Sequence, residues 1–475
     1  MTSGTRDNGE DPDRASFTSG FDEDRDPCGQ LRPGYAATLH TLAQIDLDAL
    51  RRAVAERLDE RGVSFGADPF VVDPVPRLVA GAEWDALADG LAQRARAINC
   101  FLRDAYGERR IVAAGVIGAD GIERAEGYEP DLRGRLPARG APAAIIGFDV
   151  VRDHNGEFLV LEDNLRTPSG YTYALAAREV LLDCLPAGIP PPRPLEAVTQ
   201  ALLRATILAA APEDCADPTI VVLSDGPDSS AGYEHATAAR WLGGRLATPA
   251  DLERSDDRLL VRLPDGSSQP VDVVYRRTND DRVRGDDGEL TEVAALLLEP
   301  WLNGRIGLVN AFGGGLGDDK LAHSRVEDFV RFYLDEEPKV RSVPTLSLTS
   351  QEKVEEAVGR LRELVVKPRY GQGGAGVVIG AHADSADLER LAGELREHPE
   401  DFIAQPIIAL SCHPTVIDGE LQPRHVDLRP FAFCGADDDV ALIPGGLTRV
   451  ALEAGTLVVN SSQNGGGKDT WVFDA

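Results

Sequence analysis

Apolar side chains recur at three- and four-residue spacing in several parts of the chain, which predicts amphipathic helices. The predicted helices span residues 46–61, 83–106, 171–182, 195–211, 233–242, 321–334 and 350–364. Continuous apolar runs bounded by glycine, proline or asparagine predict strands within residues 143–164, 219–225, 271–277, 305–324, 364–380, 401–410 and 424–433. Helices and strands are interleaved along the chain, so the predicted fold class is α/β (α+β).

Residues 219–277 alternate strand, helix and strand, and residues 305–324 begin another strand before a glycine loop and a helix. This alternation is typical of a Rossmann-like parallel sheet, whose ligands bind at the carboxyl ends of the strands. Arg276 and Arg277 close the strand at 271–277, so we expect them to face a crevice and bind an anion.

Residues 143–164 contain two apolar runs that flank Asn155-Gly156, a strong signal for a two-residue hairpin loop. In that register Asp149 lies opposite Glu162, and Asn164 shares their face because side chains alternate along a strand. Directly opposed carboxylates repel one another, and a divalent cation removes the repulsion. Two carboxylates and an amide oxygen suit Mg²⁺. The alternative is an exposed hairpin edge that carries acids.

Two arginines flank this predicted metal site in the sequence. Arg152 and Arg166 could each hold a phosphate or a substrate carboxylate as a charge-assisted pair. Equally, either could neutralise the surrounding acids.

A second hairpin signal, at residues 364–380, carries a glycine-rich turn. Lys367 precedes Gly371, Gly373, Gly374 and Gly376, and apolar residues resume after the last glycine. Glycines let backbone N–H groups approach an anion closely, and the lysine can reach a phosphate as a point charge. The alternative is a plain hairpin with a surface lysine.

Lysine is rare in this chain, which makes its positions informative. Only five of the 49 basic residues are lysine, and Lys320, Lys367 and Lys468 each lie beside a glycine-rich segment. Such placement predicts that these positions need an ammonium group. Lys339 and Lys353 lie among acids and are expected at the surface.

Two further strands carry polar candidates. Gln405 lies in the middle of the apolar run at 401–410, where it could meet an adenine edge or belong to an ordinary core strand. The run at 424–433 places Asp427 and Arg429 on one face of a strand.

Composition and charge limit the class of protein. At 475 residues and 43% hydrophobic content, the chain can form two or three subdomains. Its net charge of −30 disfavours nucleic acid and anionic membranes as partners. Six cysteines without a CxxC pair indicate neither a zinc site nor a disulfide framework. No signal peptide or long apolar span is evident, so a cytoplasmic protein is expected, and homo-oligomerisation stays open.

These segments together resemble the circularly permuted ATP-grasp family. The resemblance rests on VLEDNLR, VDVVYRR, the DDK before residue 321, RHVDLRPF, GGLTRVA, VVNSSQ and KDTWV, spread over roughly residues 21 to 473. The Glu162-Asp163-Asn164 strand precedes the lysines, which is the permuted order. The layout is similar to that of eukaryotic glutathione synthetase and glutathionylspermidine synthetase.

The resemblance implies a division of the chain and a set of site residues. The division is a part with the metal hairpin (21–200), a Rossmann-like substrate subdomain (201–312) and the nucleotide-binding part (313–475). Residues 1–20 are polar and charged, and that composition predicts a disordered tail. The resemblance implies Mg²⁺ on Asp149, Glu162 and Asn164. It implies ATP on Lys320, Lys367, Gly371, Gly373, Gly374, Gly376, Ala404 and Gln405. From their positions at strand ends and beside the predicted metal site, we predict catalytic arginines at Arg152, Arg166, Arg276, Arg277 and Arg429.

Two departures from the family pattern are visible. Glutathione synthetase-type chains place a metal-binding glutamate in the glycine loop, where this chain has Tyr370 and Gly371. Asp149 is therefore expected to serve instead. The loop at 278–288 is also altered and more charged than in the bacterial relatives.

The implied activity is an ATP- and Mg²⁺-dependent ligation of a small-molecule carboxylate to an amine. The γ-phosphoryl group would move to the carboxylate, and the amine would attack the acyl phosphate to form an amide or peptide-like bond. The alternatives are a phosphotransferase at the same Mg·ATP site and a catalytically silent nucleotide-binding module.

Overall fold

The computed structural model describes residues 20–186, 189–213, 215–227, 229–370, 376–436, 439–453 and 465–474. Its α-helices are Tyr35–Leu42, Leu47–Glu60, Gly81–Tyr106, Arg110–Ala113, Ala119–Glu123, Tyr171–Cys184, Glu196–Ala210, Gly232–Leu242, Glu292–Leu302, Gly315–Asp318, Lys320–His323, Val326–Phe329, Gln351–Gly359 and Ser385–Glu397.

The strands are numbered in chain order. They are β1 Ser64–Phe65, β2 Asp68–Pro69, β3 Arg77–Ala80, β4 Ile145–Arg152, β5 Phe158–Asn164, β6 Ile220–Ser224, β7 Arg245–Ala247, β8 Leu252–Ser255, β9 Arg258–Arg262, β10 Ser268–Pro270, β11 Val273–Arg277, β12 Gly307–Val309, β13 Arg341–Ser342, β14 Leu346–Ser347, β15 Leu364–Pro368, β16 Val378–Ile379, β17 Phe402–Pro406, β18 Cys412–Ile417, β19 Glu420–Arg429, β20 Phe431–Cys434, β21 Val440–Leu442, β22 Leu447–Ala451 and β23 Gly465–Phe473.

Most predicted helices form close to their predicted bounds because apolar periodicity and capping residues agree. The helix Leu47–Glu60 begins after Asp46, whose side chain accepts a hydrogen bond from the Ala49 backbone N–H. The long helix Gly81–Tyr106 buries its apolar stripe in the core. These outcomes confirm the predictions at 46–61 and 83–106.

The single helix predicted over residues 321–334 is wrong. The segment forms two short helices, Lys320–His323 and Val326–Phe329, and then a π-helical turn at Val330–Leu334. Arg325 leaves helical geometry between them (φ −113°, ψ 0°). Phe329 stacks on Phe101 with ring centroids 4.2 Å apart, so packing overrides the local helical pattern.

The predicted parallel sheet is confirmed. Its order is β12-β11-β6-β7, and the three neighbouring pairs are all parallel. Ser224 and Arg277 pair at the carboxyl ends of β6 and β11. The strand ends that commonly bind ligands therefore lie side by side.

A large sheet in the order β13-β5-β4-β19-β22-β23-β3 holds the acidic hairpin β4–β5. The predicted pairing is confirmed, with Asp149 opposite Glu162 and Gly147 opposite Asn164. The predicted two-residue loop is wrong, because Arg152 pairs with Phe158 and the connection is one residue longer.

The loop differs because Asp153 organises it. The Asp153 carboxylate accepts hydrogen bonds from the backbone N–H groups of Asn155 and Glu157, and Gly156 takes a positive φ of 85°. A register shift after the Asp149–Glu162 pair, at Leu161, then restores the predicted pairing.

A smaller antiparallel sheet, β14-β17-β15-β16, has its own apolar core with the helices Gln351–Gly359 and Ser385–Glu397. The predicted hairpin at 364–380 is confirmed by the Val365–Ile379 pairing. Gly376 has a φ of +72°, which glycine favours. The predicted Gly371, Gly373 and Gly374 lie outside the described residues.

No helix in the described part of the chain has the length and apolar character needed to cross a membrane. The six cysteines are free thiols.

Candidate active site

A cleft of about 990 Å³ is lined by residues of the large sheet, the small sheet and the carboxyl ends of β6 and β11. The predicted site residues that line it are Asp149, Glu162, Asn164, Arg166, Arg277, Lys320, Lys367, Gln405 and Arg429. The fold thus gathers residues from distant parts of the sequence around one space.

Asp149 is bound by two arginines. Its Oδ1 accepts from Arg429 Nε at 2.9 Å and from Asn164 Nδ2 at 3.3 Å, and its Oδ2 lies 2.7 Å from Arg449 Nη2. Burial alone would raise the pKa of Asp149, but the two guanidinium groups lower it to about 2. The charge that the sequence assigned to a metal is therefore balanced here by arginines.

Arg449 also holds Asp427, the other buried carboxylate beside this cluster. Its Nε lies 2.9 Å from Asp427 Oδ1. Burial raises the pKa of Asp427 in spite of this partner. Arg449 was not among the predicted site residues, because β22 carries no local signal that its side chain reaches β4.

The predicted nucleotide lysine meets the predicted metal carboxylate. Lys367 on β15 places its Nζ 3.3 Å from Glu162 Oε1 on β5. Lys367 is buried, whereas 35% of the Glu162 side chain remains exposed. This pair joins the small sheet to the large sheet across the cleft.

Lys320 enters the cleft from the first residue of the helix Lys320–His323. The residue before it fixes that helix in place. Asp319 accepts from the Leu321 backbone N–H and pairs with Arg369 Nε at 2.7 Å. Arg369 lies just beyond β15, so the Lys320 helix and the Lys367 strand are tied together.

Two of the three predicted metal ligands fit Mg²⁺. Glu162 presents a partly exposed carboxylate. Asn164 donates through Nδ2 to Asp149, so the amide oxygen of Asn164 points away from the Asp149 carboxylate. Both are the hard oxygen donors that Mg²⁺ prefers. Asp149 would have to give up a guanidinium to bind a metal. Within the described ranges no three His, Cys, Asp or Glu side chains group as a metal site.

Apolar side chains from both sheets and from the segments that follow their strands line the cleft, and one of them, Val365, pairs with Gln405 between β15 and β17. They are Val151, Leu161, Val343, Val365, Val377, Ile379, Ile407, Ile408 and Leu410. Gln405 is buried, and its Nε2 donates to Thr345 Oγ1 at 2.9 Å while its Oε1 has no partner among the described residues. The Ala404 side chain is fully buried in the small sheet's core, so a nucleotide contact at this position would be made by its backbone.

Arg152 is a correction to the predicted catalytic set. Its guanidinium is buried between Glu23 (3.4 Å) and Glu83 (2.8 Å) and covers the Phe158 ring. Arg152 does not line the cleft and neutralises acids, which is the alternative that the sequence left open.

Arg276 is a second correction. It is 1% exposed and donates to the backbone carbonyls of Asn310 and Ala311 from above the Phe312 ring. Burial lowers its pKa. Because strand residues alternate in direction, its neighbour Arg277 lines the cleft and Arg276 does not.

Arg166 and Arg277 line the cleft but are held by carboxylates. Arg166 Nε lies 2.7 Å from Asp318 and 3.4 Å from Asp281. Burial raises the pKa of Asp318 to about 6 against the opposing effect of Arg166. Arg277 lies 3.0 Å from Glu234 and donates to the Pro168 carbonyl at 2.9 Å.

Beside Arg277, the end of the cleft next to the parallel sheet carries hydroxyl and imidazole groups. His235 bonds through Nδ1 to Ser224 Oγ at 2.9 Å. Burial, and then the nearby Arg277, lower the pKa of His235 to about 3. Ser229 and Ser230 line the same end.

The sequence missed a buried group centred on Asp163, the middle residue of the Glu162–Asn164 segment. Both Asp163 oxygens accept from Arg94, each at 2.6 Å, and His323 Nδ1 lies 2.7 Å from Oδ2. Asp163 and His323 both line the cleft. Their separation of 160 residues leaves no local signal of this contact.

Lys468 has a structural partner outside the cleft. Its ammonium pairs with Asp73 and donates to the carbonyls of Val75 (3.3 Å) and Pro414 (3.1 Å). Position 468 thus needs an ammonium as expected, but for a buried ion pair.

Charges in the cleft nearly cancel. Among the described residues, nine carboxylates line it: Glu126, Glu129, Asp149, Glu162, Asp163, Asp281, Asp318, Asp319 and Asp427. The basic side chains are the eight Arg166, Arg277, Arg282, Lys320, Lys367, Arg369, Arg429 and Arg449. The cleft therefore has no net positive charge with which to attract a polyanion, and a cation that accompanies the polyanion would reduce the repulsion.

Comparison with known proteins gives a family match. The model for circularly permuted ATP-grasp type 2 matches residues 76–451. An uncharacterized protein of Mycobacterium tuberculosis is 39% identical over 469 residues, which cover 96% of this chain and 84% of that protein. An uncharacterized Synechocystis protein is 41% identical over 452 residues, covering 94% and 92%.

A Frankia alni protein, whose name provisionally assigns it as a glutamate–cysteine ligase, is 41% identical over 469 residues. The match covers 96% of this chain but only 54% of the Frankia protein. Among solved structures, a glutathione synthetase-like effector of Globodera pallida superposes with a TM-score of 0.58. Its identity is 13%, over 90% of this chain and 98% of that one, which shows a shared fold.

Proposed function

Because the chain belongs to the circularly permuted ATP-grasp type 2 family, we propose that it is an ATP-dependent ligase that joins a carboxylate to an amine through an acyl phosphate. The observation that carries the proposal is the contact between Lys367 and Glu162 across the cleft. It brings a phosphate-binding cation and a metal-binding carboxylate within one ligand's reach.

The nucleotide is proposed to lie between the two sheets. The apolar side chains of the cleft suit a base. Gln405 Oε1, for which the described part of the chain offers no partner, can accept a hydrogen bond from the amino group of adenine. Lys320 and Lys367 then lie on the phosphate side, where ammonium groups bind phosphate oxygens.

Glu162 and Asn164 are proposed to hold the Mg²⁺ that accompanies the nucleotide. When bound, the ion neutralises charge on the phosphate oxygens. Asp149 is proposed to act beside them by holding Arg429 at the cleft wall. This refines the predicted ligand set, in which Asp149 was the third metal ligand.

The acid and the amine are proposed to bind toward the carboxyl ends of β6 and β11. Ser229, Ser230 and neutral His235 offer hydrogen bonds there without a net charge. The provisional name of the Frankia relatives is consistent with amino-acid substrates. However, this chain spans only 54% of those proteins.

The test is Mg²⁺-dependent ADP release with amino acids and amines offered in pairs. We expect ADP only when both an acid and an amine are present. Glu162→Gln and Lys367→Met should each lower the rate about 100-fold, since each removes a charge that stabilises the transferring phosphoryl group.

Matched controls are Glu420→Gln and Lys353→Met, which change exposed residues outside the cleft and should leave the rate unchanged. ADP formation with the acid alone, and phosphate retained on the product, would establish a phosphotransferase instead. Tight Mg·ATP binding without turnover under any pairing would establish a silent module.

A further inference from the structure

In the part of the chain that the structure describes, only one ring nitrogen of His323 has a hydrogen-bond partner. Nδ1 lies 2.7 Å from Asp163 Oδ2, and Nε2 is buried without a hydrogen-bond partner among the described residues. The ring is 3% exposed and lines the cleft. An unpaired buried polar atom destabilises the protein, and a ligand that hydrogen-bonds to it would remove that cost.

The contacts of Nδ1 define which nitrogen carries the proton. Arg94 donates to both Asp163 oxygens, each at 2.6 Å, which is the two-pronged pairing that a guanidinium makes with an ionised carboxylate. An ionised carboxylate can only accept, hence Nδ1 must carry the proton at this distance. Arg94 Nη2 is 3.1 Å from the same nitrogen but donates to Asp163 at 2.6 Å.

Nε2 is therefore a lone-pair acceptor. Burial lowers the pKa of His323 despite the Asp163 carboxylate beside it, which keeps the ring neutral at neutral pH. A ligand group that meets Nε2 must bring an N–H or O–H, and ionised phosphate oxygens bring neither.

The position of His323 favours the reacting end of the cleft. It lies three residues after Lys320 on one short helix, and its partner Asp163 adjoins Glu162 and Asn164. Among the substrates of the proposed ligase, the group with N–H donors at that end is the amine.

We propose that His323 is a catalytic residue whose Nε2 receives a proton of the attacking amine, with Asp163 as the positioning residue that sets its tautomer. The step rests on the proposed ligase function. The substrate ammonium first gives one proton to Nε2, and the neutral nitrogen then bonds to the acyl carbon. The carbon–oxygen bond to phosphate breaks, the released phosphate takes the second N–H proton, and the imidazolium returns its proton to solvent.

The test uses the full chain and two acceptors that differ in their need for a base. Hydroxylamine is already unprotonated at neutral pH and traps acyl phosphates as hydroxamates, whereas an amino-acid amine must lose its proton. The standard amino acids are offered in turn as the acid. The variant is His323→Asn, whose amide can still donate to Asp163 but has no atom at Nε2.

We expect His323→Asn to keep hydroxamate formation within about threefold of the parent and to lose amide formation about 100-fold, the usual size of general-base effects. Asp163→Asn retains the imidazole and should show the same selective loss, because the charge that holds the Nδ1 proton is gone. The control His382→Asn changes an exposed histidine outside the cleft and should alter neither reaction.

Three results would overturn the proposal. Equal losses with both acceptors would make His323 structural, and no loss with either would leave it without a role. Weaker Mg·ATP binding by His323→Asn would mean that Nε2 meets a ribose hydroxyl. A parent that forms neither hydroxamate nor ADP would instead refute the ligase function, and this proposal with it.

Discussion

At the scale of single residues, the cleft is built from charges that hold one another. Asp149 binds Arg429 and Arg449, while Arg166 and Arg277 bind Asp318 and Glu234. Such pairs fix side chains in place, because breaking one leaves a buried charge unpaired. The partly exposed Glu162 differs from them and is the better candidate for binding a cation.

Asp149→Asn should destabilise the protein by about 2 kcal/mol at pH 7, since the native pKa of Asp149 is about 2 against an ordinary 3.8. A carboxylate with a lowered native pKa stabilises the fold above its unfolded pKa. That contribution is lost as pH falls through the native value. Urea unfolding of parent and variant should therefore differ at pH 7 and converge as pH falls from about 4 to 2.

Asp68→Asn is the matched control for this measurement, because Asp68 is exposed. It should change the unfolding free energy little at any pH. A constant difference between parent and Asp149→Asn down to pH 2 would contradict the role of the arginine pairs.

The sequence could predict Asp149, Glu162 and Asn164 as neighbours because strand alternation and a hairpin signal are local. It could not predict that Arg152 pairs with Glu23, since the two are far apart along the chain. The same holds for Asp163 and His323. The sequence shows that a charged residue within an apolar strand needs a partner of opposite charge, and the fold determines which residue that partner is.

At the scale of elements, the hairpin β4–β5 depends on what packs behind it. Gly147 pairs with Asn164, and a Cβ there would lie 2.9 Å from Pro168 Cβ and 3.3 Å from the Phe431 ring. Neither neighbour is a flexible side chain. The loop after β5 therefore requires a glycine at this position of β4.

Gly147→Ala should cost about 1–3 kcal/mol through overpacking and lower ligase activity by displacing Asn164. Gly393→Ala is the matched control. It lies in the helix Ser385–Glu397 with open space around its Cβ position, and should stabilise the fold by about 0.5–1 kcal/mol. Urea unfolding midpoints and rates of ADP release are measured for both variants. Equal changes in the two variants would contradict the packing argument for Gly147.

Secondary-structure elements that follow a single hydrophobic pattern over their whole length could be predicted from the sequence. An element whose pattern continues while its backbone is interrupted could not. The parallel sheet formed as its strand–helix alternation indicated. The helix predicted over 321–334 broke because Phe329 packs on Phe101. That break ends the helix at His323, directly beside Asp163.

At the scale of the whole molecule, a net charge of −30 surrounds a cleft whose own charges nearly cancel. ATP is itself a polyanion, so the protein's field opposes its approach. The Debye length falls from about 30 Å at 0.01 M salt to about 8 Å at 0.15 M. Salt should therefore screen the repulsion before it weakens contacts inside the cleft.

The association rate constant of Mg·ATP should thus rise as NaCl increases from about 0.01 to 0.15 M, measured by stopped-flow at constant free Mg²⁺. Adenosine, which carries no phosphate, is the control and should associate at a rate independent of salt. Many phosphate-binding proteins show the reverse, because a positive cleft attracts the ligand. A rate that falls with salt here would mean that Lys320 and Lys367 dominate the long-range field despite the acidic surface.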